Sequence, residues 1–212
     1  MSHDLRTPLA TIRTATSELQ AGVVDDEHTR QELLTLVGSE ADRLDRLVAN
    51  LLDLSRIEAG ALHPERQAVD LRELIEDRRA GLAGALHDVT VTVAVAPGVP
   101  LVSADYTQLG QVLANLLENA ARHSPSGGTV TVTATTHQGV VEVVVTDEGK
   151  GVAAEDRPVI FEPFRTGRGS RSTGIGLAIC KAVIEAHGGR IWLGAAAGGG
   201  AAFHFTVPAG DG

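Results

Sequence analysis

Aromatic residues are scarce, at 3% of 212, and the chain has one cysteine. Hydrophobic residues still make up 43%, so a core can form, but it must be built from Val, Leu, Ile and Ala. The lone Cys180 excludes an internal disulfide and fits a reducing compartment. Basic residues are in the minority. The 18 Lys and Arg against 27 Asp and Glu leave a net charge of -9, which argues against nucleic acid as a partner. No apolar run is long enough to cross a bilayer: the charge-free stretch at 194–202 is short and made mostly of Gly and Ala, so no membrane contact is expected of this chain. Met1 leads straight into Ser2-His3-Asp4-Leu5-Arg6, which lacks the features of a secretion signal. The length allows one or two domains.

What is present is organised around residues 105–125. Leu109, Val112, Leu113, Leu116, Leu117 and Ala120 recur at helical spacing and form one apolar stripe. Asp105 is an N-cap residue, and Pro125 lies just past the end. The polar content is unusual. Asn115 and Asn119 share a face, with Arg122 and His123 one turn further on. Asn is a poor helix-interior residue. Two on one face fit either a solvated surface or a hard cation such as Mg2+ held together with substrate phosphates.

Upstream, Leu5, Leu9, Ile12, Thr16, Leu19 and Val23 alternate spacings of four and three, which predicts a helix over 2–22 ended by Gly22. Asp25 and Asp26 offer N-caps for a longer helix to about Ala59, with a seam of Leu33, Val37, Glu40, Leu44, Leu47, Leu51 and Leu54. Two such helices predict an antiparallel hairpin with too little core of its own. A homodimeric four-helix bundle through residues 1–60 would complete it; the alternative is packing on the rest of the same chain. Gly60 to Gln67 reads as a linker, dividing the chain into residues 1–62 and 63–212. A short strand at 69–71 should enter a helix to about Ala85. Strands are expected at 89–95, 101–103, 129–136, 140–146, 190–194 and 201–207, with a turn at Gln138-Gly139. An irregular segment fills 147–172, and a helix should run from about Gly174 to His187 before Gly188-Gly189. The fold class is α+β, with helices on one face of a mostly antiparallel sheet.

Three motifs carry chemistry. Asp147-Glu148-Gly149-Lys150-Gly151 leaves a strand as D-x-G-x-G. A carboxylate there could accept from an exocyclic amine such as that of adenine, or could belong to an ordinary acidic turn. Gly167-Arg168-Gly169 and Gly174-Ile175-Gly176-Leu177 precede and open a helix, whose N-terminal amides can hold an anion; a flexible loop is the plainer reading. Neither a Walker A loop nor a dinucleotide fingerprint is present. Between them, Ile160-Phe161-Glu162-Pro163-Phe164 places two of the four Phe in a polar loop, as a lid anchor or a small satellite core.

Asn115-Leu-Leu-Glu-Asn119, Asp147-x-Gly149-x-Gly151, Phe161-x-x-Phe164 and Gly174-x-Gly176-Leu177 resemble, in order, the N, G1, F and G2 boxes of sensor histidine kinases. Ser2-His3-Asp4-Leu5-Arg6-Thr7-Pro8-Leu9 resembles their H box, so the resemblance covers nearly the whole chain. It implies a dimerising and phosphoacceptor helical hairpin followed by a Bergerat-type ATP-binding α/β sandwich, of the kind shared with gyrase and MutL. By position, it implies that Asn119 and Asn115 help hold Mg2+ and that Asp147 binds the adenine amine. It makes 152–173 an ATP lid and has Gly174 and Gly176 cradle phosphate. Arg122, His123, Gly149, Gly151, Phe161, Phe164, Thr173, Ile175 and Leu177 complete the ATP site. His3 would be the phosphoacceptor, Asp4 its acid/base, and Thr7 an aid to regulator dephosphorylation. The partner implied is the receiver domain of a response regulator, and the expected location is the cytoplasmic portion of a membrane-associated protein.

Ordinary chemistry supports part of this. Neutral imidazole is a nucleophile near pH 7, and a neighbouring carboxylate can hold its N–H. The plainer reading makes His3 a frayed terminal residue and starts the helix at Pro8; the resemblance implies a kinked helix running through it. The sequence departs from the family where Arg122 and His123 replace the usual Lys and Tyr, where Arg171-Ser172 precede Thr173, and where the first helix begins only two residues before His3. The last feature is expected of a fragment of a longer sensor protein. A non-catalytic module that binds nucleotide and docks a regulator is the alternative. An ATPase of the gyrase or MutL type would need a carboxylate on the Asn119 face, but Glu118 points about 100° away.

Overall fold

The first helix, α1 (Ser2–Gln20), runs unbroken through Pro8. The computed structural model describes residues 2–22, 26–58, 62–165, 174–196 and 198–210; the side chains of residues 2–5 and of several positions between 42 and 58 lie outside that description. Helix α2 (Glu27–Glu58) is capped by Asp26, whose carboxylate accepts from the N–H groups of His28 at 3.3 Å and Thr29 at 3.0 Å. The two helices pack as the expected hairpin. The buried stripe of α1 is shifted from the one read in the sequence. Pro8 and Ala15 are buried and Ile12 and Leu19 half-buried, whereas Leu9 is 55% exposed. A narrow Ala at the contact lets two helix axes approach closely, which a Leu would prevent. On α2, Leu33, Val37, Glu40 and Leu44 are half-buried, while Leu34, Val48 and Leu52 form a second, exposed apolar face.

The remainder is a sandwich. Strand β1 (Gln67–Val69) pairs antiparallel with β3 (Val102–Ala104) in a small sheet. The main sheet joins β2 (Thr90–Val95), β4 (Thr129–His137), β5 (Val140–Thr146), β7 (Ala201–Pro208) and β6 (Ile191–Ala195) in that order. It is mixed: β2 runs parallel to β4, and the other neighbours are antiparallel. Gln138 and Gly139 both have positive φ, 47° and 81°, the conformation of a two-residue hairpin turn.

Three helices cover one face: α3 (Leu71–Gly81), α4 (Tyr106–His123) and α5 (Gly176–Ala186). Val130, Val132, Val141, Val143, Val145, Phe203 and Phe205 of the sheet meet Leu74, Ile75, Leu113, Leu116, Ile179 and Ile184 in one core. The single-face α+β architecture follows from strands whose apolar residues alternate with Thr. Helix α3 stops at Gly81 rather than near Ala85, because Gly81 and Gly84 weaken the helix beyond its first turns. Helix α5 starts at Gly176, not Gly174, because Gly174 has φ +67°, outside the right-handed helical region.

Candidate functional site

Helix α4 positions the first group of side chains. Asp105 caps it by accepting from Thr107 and Gln108 N–H, each at 3.0 Å. Its apolar stripe, fully buried, leaves Asn115 and Asn119 half-buried on another face, with Asn115 against the start of α5. A Cβ at Gly176 would sit 3.4 Å from Asn115 Oδ1, so glycine brings the first turn of α5 against that amide. Among the described residues, Asn115 Nδ2 is buried with no oxygen or nitrogen partner, and only the Cys180 thiol lies beside it. The α5 N-terminus at Ile175 has no side-chain cap, which leaves its first amides open to a ligand. Ile175 is 2% exposed and Leu177 half-buried, so these two can serve a ligand through their backbone and hold the turn by their side chains.

The end of β5 positions the second group. Asp147 is only 3% exposed. Its Oδ1 accepts from Gly149 N–H at 2.9 Å and from Ala201 N–H at 3.1 Å, and its own N–H donates to Ala201 O at 3.0 Å. A side chain on Gly149 would overlap the His123 carbonyl, and one on Gly200 would overlap the Asp147 carbonyl. Gly151 has φ +69°, and a Cβ there would lie 2.8 Å from Gly199 O. The glycines of D-x-G-x-G are thus set by close backbone approach to the end of α4 and to the β6–β7 turn. Gly200 and Ala201 belong to this site but were not read from the sequence. The only signal for them was the Gly198-Gly199-Gly200 run before an alternating strand.

The segment after Gly151 is a series of turns. Phe161 reaches into the core and meets Phe203 edge-on, with ring centroids 6.4 Å apart. Phe164 is half exposed, holds φ 64°, and its N–H donates to Gly174 O at 3.0 Å. That bond closes the loop on itself, bringing Arg165 beside Gly174. Thr173, Gly167 and Gly169 lie outside the described residues.

The other predicted residues are spread out. Arg122 lines a cavity of about 390 Å³ with Ala85, Asp88, Glu118, Ser124 and Ser126. Glu118 therefore lies on the cavity side of α4, as its position one residue before Asn119 requires. His123 is exposed in the last turn of α4. His3 and Asp4 are in the first turn of α1, with side chains outside the described residues, and Thr7 is exposed one turn on. Beneath Asn115, Cys180 is fully buried, and burial pushes its thiol up to about 12.

Together these features suit a nucleotide. Asp147 is a buried, fixed carboxylate of the kind a base amine could meet, the open amides of α5 suit phosphate, and the Asn115 amide lies between two helices. Among the described residues no group of three His, Cys, Asp or Glu could hold a metal. The Asn amide oxygens, with phosphate, fit a hard cation such as Mg2+. No helix among the described residues is long and apolar enough to cross a membrane.

Residues 104–211 match the family of histidine kinase-, DNA gyrase B- and HSP90-like ATPases, and residues 1–60 match the His Kinase A (phospho-acceptor) domain. The sensor protein KdpD of Clostridium acetobutylicum is 34% identical over 98% of this chain, which spans 24% of that protein. The histidine kinase AdeS of Acinetobacter baumannii superposes with a TM-score of 0.73 at 26% identity, covering 99% of this chain and 98% of that one. Full-length ShkA in complex with AMPPNP gives 0.73 at 31% identity, covering 98% of this chain and 44% of that one.

Proposed function

The chain belongs to the sensor histidine kinases, and from that premise we propose that it is a two-component transmitter core. It would move the γ-phosphoryl group of ATP to His3 and then to an aspartate of a response regulator. Residues 1–62 would form the phosphoacceptor and dimerisation unit and 63–212 the ATP-binding unit, acting on the cytoplasmic side of a membrane-associated protein.

The observation that carries this reading is the Asn115 amide, set against Gly176 at the uncapped start of α5, with only the Cys180 thiol beside its buried Nδ2. Sulfur is a weak acceptor, so a bound nucleotide would give that buried N–H a stronger partner. In this reading Asp147 accepts from the adenine amine and the amides of Gly176 and its neighbours hold phosphate. Asn119 and Asn115 would offer amide oxygens to Mg2+, and Arg122 and His123, at the end of α4, would reach the phosphates only by moving from the positions described above. Mg2+, when bound, would offset phosphate charge. Phe161, pinned on Phe203, anchors the lid that runs toward Thr173. A lone pair of the His3 imidazole would form the bond to phosphorus. The bond to the bridging oxygen breaks, its electron pair leaving with ADP, and Asp4 takes the ring proton. Thr7, one turn along α1 from Asp4, would assist regulator dephosphorylation.

The hairpin bears on assembly. Leu34, Val48 and Leu52 expose an apolar face on α2 that a second copy would cover to complete a four-helix bundle. Incubation with radiolabelled Mg-ATP beside His3→Gln tests the whole reading. Acid-labile, base-stable label on the native chain and none on the variant is expected. Label that survives His3→Gln would overturn the assignment of the acceptor. ATP bound without label on either chain would leave only a nucleotide-binding module.

A further inference from the structure

Asp147 has two carboxylate oxygens, and the fold treats them differently. Oδ1 faces two backbone donors, Gly149 N–H at 2.9 Å and Ala201 N–H at 3.1 Å. Those donors fill its two acceptor positions. One comes from two residues along the chain, the other from the first residue of β7, more than fifty residues away. Ala201 is itself fixed by the Asp147 N–H, which donates back to its carbonyl at 3.0 Å. Gly200 closes the arrangement. A Cβ there would overlap the Asp147 carbonyl and would stand 2.9 Å from Oδ1, so no side chain can intervene. Neither bond uses Oδ2, the oxygen that would meet a bound base.

We propose that the N–H groups of Gly149 and Ala201, kept in place by Gly200, are positioning groups that fix the polarity of base recognition at Asp147. This inference rests on the nucleotide-binding reading above. A carboxylate can rotate by half a turn and lose nothing, because its oxygens are equivalent. A carboxamide cannot. In Asp147→Asn the amide oxygen must face the two donors, since an NH2 group there would point hydrogen at hydrogen. Nδ2 then occupies the Oδ2 position, and a lone acceptor becomes a lone donor. The native site should select a purine with a 6-amino group. The Asn variant should select one with a 6-oxo group, because the wrong partner leaves a buried polar group unpaired.

The test is equilibrium binding of ATP and ITP, which differ only at the 6-position and its neighbouring ring nitrogen, to the native chain, Asp147→Asn and Gly200→Ala. The native chain should favour ATP by about tenfold or more, and Asp147→Asn should reverse the preference. Gly200→Ala, which displaces the donor turn, should bring the ATP:ITP ratio toward one. A purely structural role for these residues would weaken both nucleotides equally and leave the ratio unchanged. Circular dichroism checks the fold of each variant. If Asp147→Asn fails to fold, the inference is overturned, because its amide oxygen should accept the same two bonds. It is overturned equally if the variant still prefers ATP or binds neither nucleotide. If the native chain binds neither, the functional reading itself fails, which is a distinguishable result.

Discussion

The backbone N–H of Asp105 donates to Nε2 of His187 across 3.0 Å, joining the start of α4 to the end of α5. His187 is fully buried, and its Nδ1 contacts Val183 O at 2.8 Å. The neutral ring therefore donates from Nδ1 and accepts at Nε2. The linker from the hairpin ends on the same joint. Glu65 N–H donates to Asp105 Oδ2 at 3.1 Å, and Arg66 Nη2 donates to Ala186 O at 3.1 Å.

This joint should make stability depend on pH. Burial lowers the His187 pKa below 6.5, with Arg66 adding to the effect, while Val183 O and Asp105 oppose it. Between the lowered folded value and about 6.5, the unfolded chain holds the proton that the folded chain refuses. The contribution of His187 is complete above about 6.5 and is lost as pH falls through that window. Thermal melts of the native chain and His187→Leu should converge on acidification. The variant should be weaker at pH 8 by about 1–3 kcal/mol, because the Asp105 N–H loses its acceptor. A difference that stays constant with pH would refute this account.

Cys180 should be inert in the folded chain. Its thiol is fully buried and pushed up to about 12, so almost none is thiolate near neutral pH. A thiol reagent should leave the native protein unlabelled for hours and react stoichiometrically in denaturant. Rapid labelling of the native chain would show that α5 opens far more readily than its packing implies.

The exposed face of α2 predicts a change in assembly. Val48 and Leu52 are 51% and 56% exposed and lie one helical turn apart. Light scattering should find the native chain dimeric and Val48→Asp/Leu52→Asp monomeric, with helical content in the sandwich unchanged. A native monomer at tens of micromolar would remove this face from the proposed interface.

Two glycines should respond differently to alanine. A Cβ at Gly189 would overlap Thr206 O and lie 3.1 Å from an Ile184 methyl, whereas one at Gly84 meets nothing within 4 Å. Gly189→Ala should destabilise the fold by about 1–3 kcal/mol, lowering the melting temperature by several degrees. Gly84→Ala should fall within about 0.5 kcal/mol of the native chain. Equal melting temperatures for the two variants would mean that the β6 approach yields more easily than its geometry suggests.

The sequence by itself determined the features that close within a turn or a strand pair. Asp105 and Asp26 as caps, the apolar stripe of α4, the Gln138-Gly139 hairpin and the alternating strands all rest on neighbours a few residues apart. The chemistry-bearing motifs were legible for the same reason, since each needs glycine or a polar residue at short fixed spacing. Only the tertiary structure decided the long-range pairings. These include the parallel β2–β4 contact, the stripe on α1 that runs through Pro8 and Ala15 rather than Leu9, and the meeting of Asp105 with His187. They also include Ala201 and Gly200 against Asp147, where a donor and an empty Cβ position arrive only because β7 lies beside β5 in the sheet. Local patterns state what each segment prefers; which backbone groups oppose one another depends on strand order and helix approach, and those are fixed only when the core closes.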